Sequence, residues 1–237
     1  MARLPGPLSG KGLPRWRLLA LAVLLLAILA PAPFRRQSLT FWIWDGSWTR
    51  PEAEWQRLHL LGVTELYVKA GELRPLPARI AWQALPIPQV LGGLAGFNLH
   101  LVYAGSPSWK ERWANEPEGM ADSIARLFRK QRKTIEERGG RVGGLQVNLE
   151  VPETKLDYVR AVIGGLRRDL PGIRLSVAVL PAWLDSLSGW SVALSADEFV
   201  PLMFSSRLPR TARGRETIFT WDKFPAWTLV TALIPRP

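Results

Sequence analysis

The chain has 237 residues, 47% of them hydrophobic, with a formal net charge of +11, no cysteine and two histidines. That length and apolar content bury one real core, and the lack of cysteine removes disulfides, thiolate nucleophiles and cysteine-ligated zinc together. Arg3, Lys11, Arg15, Arg17, Arg35 and Arg36 supply six positive charges with no acid among residues 1–36, so the remainder carries 11 − 6 = +5, spread too thinly to mark a nucleic-acid partner.

Residues 1–36 have the layout of a secretory signal: a basic start, an apolar run from Leu18 to Ala30, and the small-residue exit Ala30-Pro31-Ala32. The 13 residues of that run would span roughly 20 Å as a helix against a hydrocarbon core of ~30 Å, which favours an export signal over a spanning helix. Pro33 directly after Ala32 is awkward for cleavage, so an uncleaved signal anchor, a membrane tether through residues 18–30, stays open. The expected location is the periplasm or cell envelope, with the barrel domain described below expected over residues 37–237.

Leu39 to Trp44 is a β-rich run closed by Asp45-Gly46. A helix is expected next, because Thr49 and Glu52 have capping-box spacing with Pro51 in the first turn; Trp55, Leu58 and Leu61 form its buried stripe and Gly62 its stop. His59, beside the stripe, reads as a packing residue. Val63 to Val68 is a second strand ending near Lys69, and Asn98 to Tyr103 a third, joined by a Pro- and Gly-rich connection that carries no clear pattern. His100 reads as a core or barrel-lining residue rather than a base. Glu118 to Arg138 is helical, with Ile124, Leu127, Phe128 and Ile135 on one stripe and Arg126, Arg129, Lys130, Arg132 and Lys133 on a solvated face.

Gly139 to Gly144 is glycine-rich but precedes a strand instead of following one, the wrong context for a phosphate loop. No serine elbow, Walker loop or dinucleotide fingerprint is present, and His59 and His100 lie on separate elements without metal-site spacing, so neither a cofactor nor a metal is expected. From Gly143 to Pro152 the chain alternates as a strand does: Leu145, Val147, Leu149 and Val151 fall on one face and Gln146, Asn148 and Glu150 on the other. Thr154 and Asp157 repeat the capping-box spacing ahead of a helix to Asp169; Arg174 to Leu180 is a fifth strand and Glu198 to Phe204 a sixth.

This alternation argues for an α/β fold with a parallel sheet, and the strand count for a (β/α)8 TIM-type barrel. Thr217 to Trp221 and Thr228 to Ile234 are the remaining strand candidates, but the six residues between them cannot hold a helix. The barrel is therefore expected to be incomplete or degenerate at its C-terminal end.

In such a barrel the outer face of a strand packs under helices and catalytic groups stand at the C-terminal strand ends. Leu145, Val147 and Leu149 then point outward, and Gln146, Asn148 and Glu150 inward, with Glu150 highest and placed to act as a general acid. If two carboxylates operate, Asp45 at the end of the first strand is the first candidate partner and Asp185 the second. Tryptophans are the other signal, since indole faces stack on sugar rings. Of 12 in the chain, Trp42, Trp44, Trp48, Trp109, Trp113 and Trp183 fall at or after strand C-terminal ends; Trp55 and Trp82 read as packing. Gln146, Trp42, Trp44, Lys69, Tyr103 and Trp183 are the candidate substrate contacts, and the expected partner is a carbohydrate.

The segments Phe41 to Trp48, Gly144 to Pro152 with the following Lys155-Leu156-Asp157-Tyr158, and Leu175 to Leu184 resemble an uncharacterised bacterial family of exported, glycosidase-like barrels, domain-of-unknown-function family 3142, over roughly residues 40–205. That family's strand Gln-x-Asp-x-Asp-x-Pro meets Gln146, Asn148, Glu150 and Pro152 here, so both acids differ. The stretch also lies on the Asp-Gly-x-Asp-x-Asp-x-Glu strand of chitinase-like glycoside hydrolases of family eighteen, of which Glu150 alone keeps an acid. The resemblance implies a hydrolase with Glu150 as the acid that protonates the leaving oxygen. Asn148, standing where such enzymes carry an Asp, implies either weakened catalysis or a non-catalytic carbohydrate-binding or envelope scaffold barrel.

Overall fold

A computed structural model describes residues 39–43, 48–75, 80–105 and 116–202, all within the second of the chain's two units, Ser38–Pro237. In chain order the elements are β1 (Leu39–Ile43), α1 (Glu52–Leu60), β2 (Val63–Pro75), β3 (Ile80–Ala84), β4 (Asn98–Gly105), α2 (Pro117–Glu137), β5 (Arg141–Asn148), α3 (Leu156–Asp169), β6 (Arg174–Val179), α4 (Leu187–Ser195) and β7 (Glu198–Pro201). The signal segment, Trp44, Asp45, Trp109, Trp113 and the two last strand candidates lie outside the described residues. Among the described residues no helix is long and apolar enough to cross a membrane.

The sheet runs β1-β2-β4-β5-β6-β7, every neighbour pair parallel, as the strand and helix alternation predicts. Its curl is read from contacts that cut across it. Tyr67 on β2 and Glu198 on β7 are four strand spacings apart, roughly 19 Å along a flat sheet at ~4.8 Å per strand. Yet the Tyr67 hydroxyl donates to Glu198 Oε2 at 2.8 Å. Trp42 on β1 likewise donates from Nε1 to Gln146 Oε1 on β5, three spacings away, at 3.1 Å. Such chords exist only if the sheet bends round on itself. The described strands form a curled half-barrel with helices outside, an incomplete TIM-type barrel.

Both faces of the central strands are sequestered. Leu99, Leu101, Tyr103, Leu145 and Val147 belong to the hydrophobic core, and Tyr103 is paired in register with Val147, so the two share the outer face beneath α2. On α2 the expected stripe is buried at Ile124, Phe128 and Ile135, while Arg132 and Lys133 form exposed pairs with Glu136 and Glu137 one turn on. The basic run is a solvated face.

Several local expectations need correcting. α1 starts at Glu52 with Pro51 as its N-cap and no side-chain cap bond from it, so the helix starts later than a Thr49 N-cap would place it. Only Trp55 of its stripe is fully buried, Leu58 is partly so, and Leu61 lies exposed at the helix end, where Gly62 takes φ +77° and turns the chain, as expected. The second capping box fails similarly: a 3-10 turn, Glu153–Lys155, opens behind Pro152, and α3 begins only at Leu156. Two elements were not foreseen. α4 is capped by Ser186, whose Oγ accepts from the Gly189 amide at 3.1 Å, and β3 pairs antiparallel with the end of β2.

That hairpin depends on a bulge. β2 pairs with β4 through Lys69↔Val102 and then Gly71↔Tyr103, leaving Ala70 as an extra residue. Its carbonyl is satisfied from outside the ladder, by the Leu85 amide at 2.9 Å and by Gln131 Nε2 of α2 at 2.7 Å. Because β4 holds one edge of β2 as far as Leu73, β3 at Gly71 to Pro75 must take the other edge, continuing the wall where β1 stops at Val68.

Candidate functional site

Side chains on the inner face are set by strand parity. On β5, Gln146 and Asn148 are buried and point inward while Leu145 and Val147 join the core, and the alternation continues past the strand, with Leu149 and Val151 buried around a half-exposed Glu150. Glu150 thus stands just beyond the last paired residue of β5, at the C-terminal rim. The indole nitrogen of Trp42 can only donate, so its bond fixes which end of the Gln146 amide is oxygen. Among the described residues, Gln146 Nε2 and Asn148 Oδ1 have no hydrogen-bond partner, although both atoms are buried. One is a donor, the other an acceptor, and both belong to the inner face.

The bulge decides what β2 contributes. In an unbroken strand, residues three apart face opposite ways. With Ala70 inserted, Lys69 and Glu72 both face inward, and Lys69 Nζ lies 3.5 Å from Glu72 Oε1. Glu72 is in register with Gln83 of β3 and Ala104 of β4, and Ala104 with Asn148. The upper inner wall therefore reads Gln83, Glu72, Ala104, Asn148, with Glu150 one step higher. Leu73 and Trp82 take the opposite face, where Trp82 meets the Tyr103 ring edge-on at 5.8 Å and its Nε1 reaches Met120 Sδ on α2 at 3.2 Å.

Lower on the same face lies a charged layer. Arg174 reaches Glu65 at 3.3 Å and Glu198 at 3.4 Å. Tyr67, holding Glu198, is stacked between Trp42 at 4.4 Å and His100 at 4.5 Å. Burial, reinforced by the Glu198 charge and hydrogen bond, raises the Tyr67 pKa. His100 is fully buried, and burial lowers its pKa despite Glu65 Oε2 at 3.5 Å from Nε2. Its ring needs space on β5: a side chain at Gly144 would collide with the imidazole. His100 is the barrel-lining residue the sequence led us to expect, and His59, stacked on Phe97 at 4.0 Å, is the expected packing residue.

The structure brings Trp42, Lys69, Gln146, Asn148 and Glu150 to one concave face. Two other candidates belong elsewhere. Tyr103 is fully buried on the outer face, its hydroxyl donating to Gln131 Oε1 at 2.7 Å, with a pKa raised by burial; the strand-end position was right and the parity wrong. Trp183 sits in the 3-10 turn Pro181–Asp185 with 1% exposure and donates to the Val151 carbonyl at 3.1 Å, so it anchors the rim from within and offers no stacking face. Trp48 is also buried, bonded to the Lys69 carbonyl at 3.0 Å. Trp55 and Trp82 are packing residues, as expected. Asp185 is exposed after β6, at the same end of the barrel as Glu150.

Sequence reasoning missed Glu72 and Gln83, since no pattern announces a bulge or a hairpin in a Pro- and Gly-rich connection. The lower layer was more accessible: Glu65, Tyr67 and Lys69 alternate with Leu66, Val68 and Ala70, a signal that places three polar groups inward.

No family model matches the chain, and no curated protein does. Solved structures do. Active domain 2 of a thermostable chitinase from Pyrococcus furiosus, crystallised as catalytic-site mutants with chito-oligosaccharides, is 13% identical, with a TM-score of 0.47 over 83% of this chain and 67% of that one. A family 18 chitinase from Cycas revoluta in complex with (GlcNAc)4 is 14% identical, with a TM-score of 0.47 over 84% and 66%. The Bacillus cereus spore cortex-lytic enzyme SleL is 13% identical, with a TM-score of 0.44 over 74% of this chain and 44% of that one. Likenesses this distant carry no argument about activity, and the barrel assignment stands on the chords across the sheet.

Proposed function

We propose that this chain is an exported, glycosidase-like barrel that acts on a polysaccharide or oligosaccharide at the rim above β5, with Glu150 as the general acid. The observation that carries the reading is the pair of buried amide atoms, Gln146 Nε2 and Asn148 Oδ1, that have no partner among the described residues, on the inner face below Glu150. A buried polar atom without a partner costs about 1–3 kcal/mol, and a hydroxyl-rich ligand, which both donates and accepts, would satisfy both. Trp42 and Lys69 line the same face, Trp42 orienting the Gln146 amide for that contact. The Asp45 and Trp44 roles belong to this proposal at the end of β1. The resemblance to family 3142, carried by Gln146 and Pro152, and the export signal with its tether through residues 18–30 are part of the same reading.

In this mechanism Glu150 protonates the departing glycosidic oxygen as the bond to the anomeric carbon breaks. The measurement is reducing-sugar release from a panel of soluble polysaccharides by the unmodified protein and by Glu150→Gln. Turnover that survives the substitution intact would remove Glu150 from the acid role. A second reading, a non-catalytic carbohydrate-binding barrel, is favoured by Asn148, an amide where chitinase-like enzymes carry a carboxylate. It predicts glycan binding with no turnover.

A further inference from the structure

We propose that Glu72 is the second carboxylate of this site, the general base of an inverting hydrolysis in which Glu150 is the acid. The inference rests on the hydrolytic reading above and adds a residue that no strand pattern singles out. Three observations support it. The bulge at Ala70 turns Glu72 to the inner face near the C-terminal end of β2. Lys69, 3.5 Å away on that face, fixes where the carboxylate sits, and the Glu72 side chain is 15% exposed, sheltered but within reach of the interior. Glu72 shares a register row with Asn148 across Ala104, so the residue between them in that row carries only a methyl group.

The spacing selects the mechanism. Glu72 and Asn148 are two strand steps apart, roughly 10 Å between backbones before the curl brings the inner side chains together, and Glu150 is two residues beyond Asn148. An inverting pair needs ~6.5–9.5 Å, room for a water, against the ~5–5.5 Å of a retaining one, and two carboxylates with a strand between them are assigned here to the wider spacing. Glu72 takes a proton from the water as its oxygen bonds to the anomeric carbon. The glycosidic bond breaks with its electron pair on the leaving oxygen, which takes the proton from Glu150. The products are two sugars, one with an inverted anomeric centre, and both carboxyl groups regain their starting protonation from solvent. Asn148 Oδ1, in the row with Glu72, is placed to orient the water.

The two roles separate by leaving group. Dinitrophenolate departs without a proton, so on dinitrophenyl glycosides Glu150→Gln should stay within about tenfold of the unmodified protein while losing about 10²-fold or more on polysaccharide. Glu72→Gln should lose about 10²-fold or more on both, and nuclear magnetic resonance should show the released anomer inverted. Glu72→Asp, which keeps the charge beside Lys69 and withdraws the carboxylate by one methylene, should restore thermal stability if Glu72→Gln lacks it, without restoring turnover. Retained anomeric configuration, or full activity in Glu72→Gln beside an impaired Glu150→Gln, overturns the role of Glu72 and leaves Glu150 standing. Absence of any turnover by the unmodified protein overturns the hydrolytic reading beneath it.

Discussion

The inner face of the sheet changes character along its height. In the lower layer, charge meets charge: Arg174 lies between Glu65 and Glu198, and Tyr67 hooks Glu198 from the far side of the sheet. At the rim, the amides of Gln146 and Asn148 each leave a buried atom without a partner among the described residues, and Glu150 stands half-exposed above them. The lower layer pairs its carboxylates with Arg174 and Tyr67 to tie strands together, although both ring nitrogens of His100 are buried there without a hydrogen bond among the described residues, whereas the rim leaves amide atoms that can both donate and accept.

Substitutions should therefore sort by height. The largest effect is expected from Glu150→Gln at the rim, a loss of about 10²–10⁴-fold in turnover, or roughly 3–5 kcal/mol of transition-state stabilisation, with the unfolding midpoint nearly unchanged in denaturant titration. Behind the rim, Gln131→Leu strips the bulge carbonyl of a 2.7 Å donor and the Tyr103 hydroxyl of its acceptor; about 2 kcal/mol of stability should be lost, measured by urea unfolding. In the lower layer, Tyr67→Phe removes the bond to Glu198 and should cost about 1 kcal/mol of stability without altering turnover. A Tyr67→Phe variant with lost turnover and full stability would erase the distinction between the layers.

The smallest effect concerns pH. Burial lowers the His100 pKa from its ordinary 6.5, with Glu65, Glu198 and Arg174 the charged groups around it. The unfolded chain thus binds the proton more readily than the folded one. The stability that His100 contributes is complete above pH 6.5 and falls as pH drops below that value toward the folded-state pKa. Urea unfolding at pH 8, 6 and 5 should show this decline, and His100→Gln should flatten it. A steeper decline in the variant would assign the effect to the carboxylates of the layer.

Much of this was written in the sequence. Repeated strand and helix signals gave the parallel barrel, and the alternation from Leu145 to Val151 oriented Gln146, Asn148 and Glu150 correctly, because a one-residue period error would have buried the amides under a helix. Tyr103 and Trp183 were misplaced for physical reasons. A position near a strand end says nothing of which face a side chain takes, and an indole that bonds a backbone carbonyl in the core has the same sequence surroundings as one that stacks on a ligand. Gln131 shows the converse limit: a glutamine in an apolar helix stripe looks like a flaw until the orphan carbonyl at Ala70 gives it a partner.

That extra residue acts as a parity switch. Were Ala70 paired in a regular ladder instead of bulged out, Gly71 and Leu73 would line the rim and Glu72 would be driven under α2. Whether that one residue bulges or pairs thus decides between an acidic wall and an apolar one built from the same side chains, so relatives nearly identical around this strand can differ in chemistry through pairing alone.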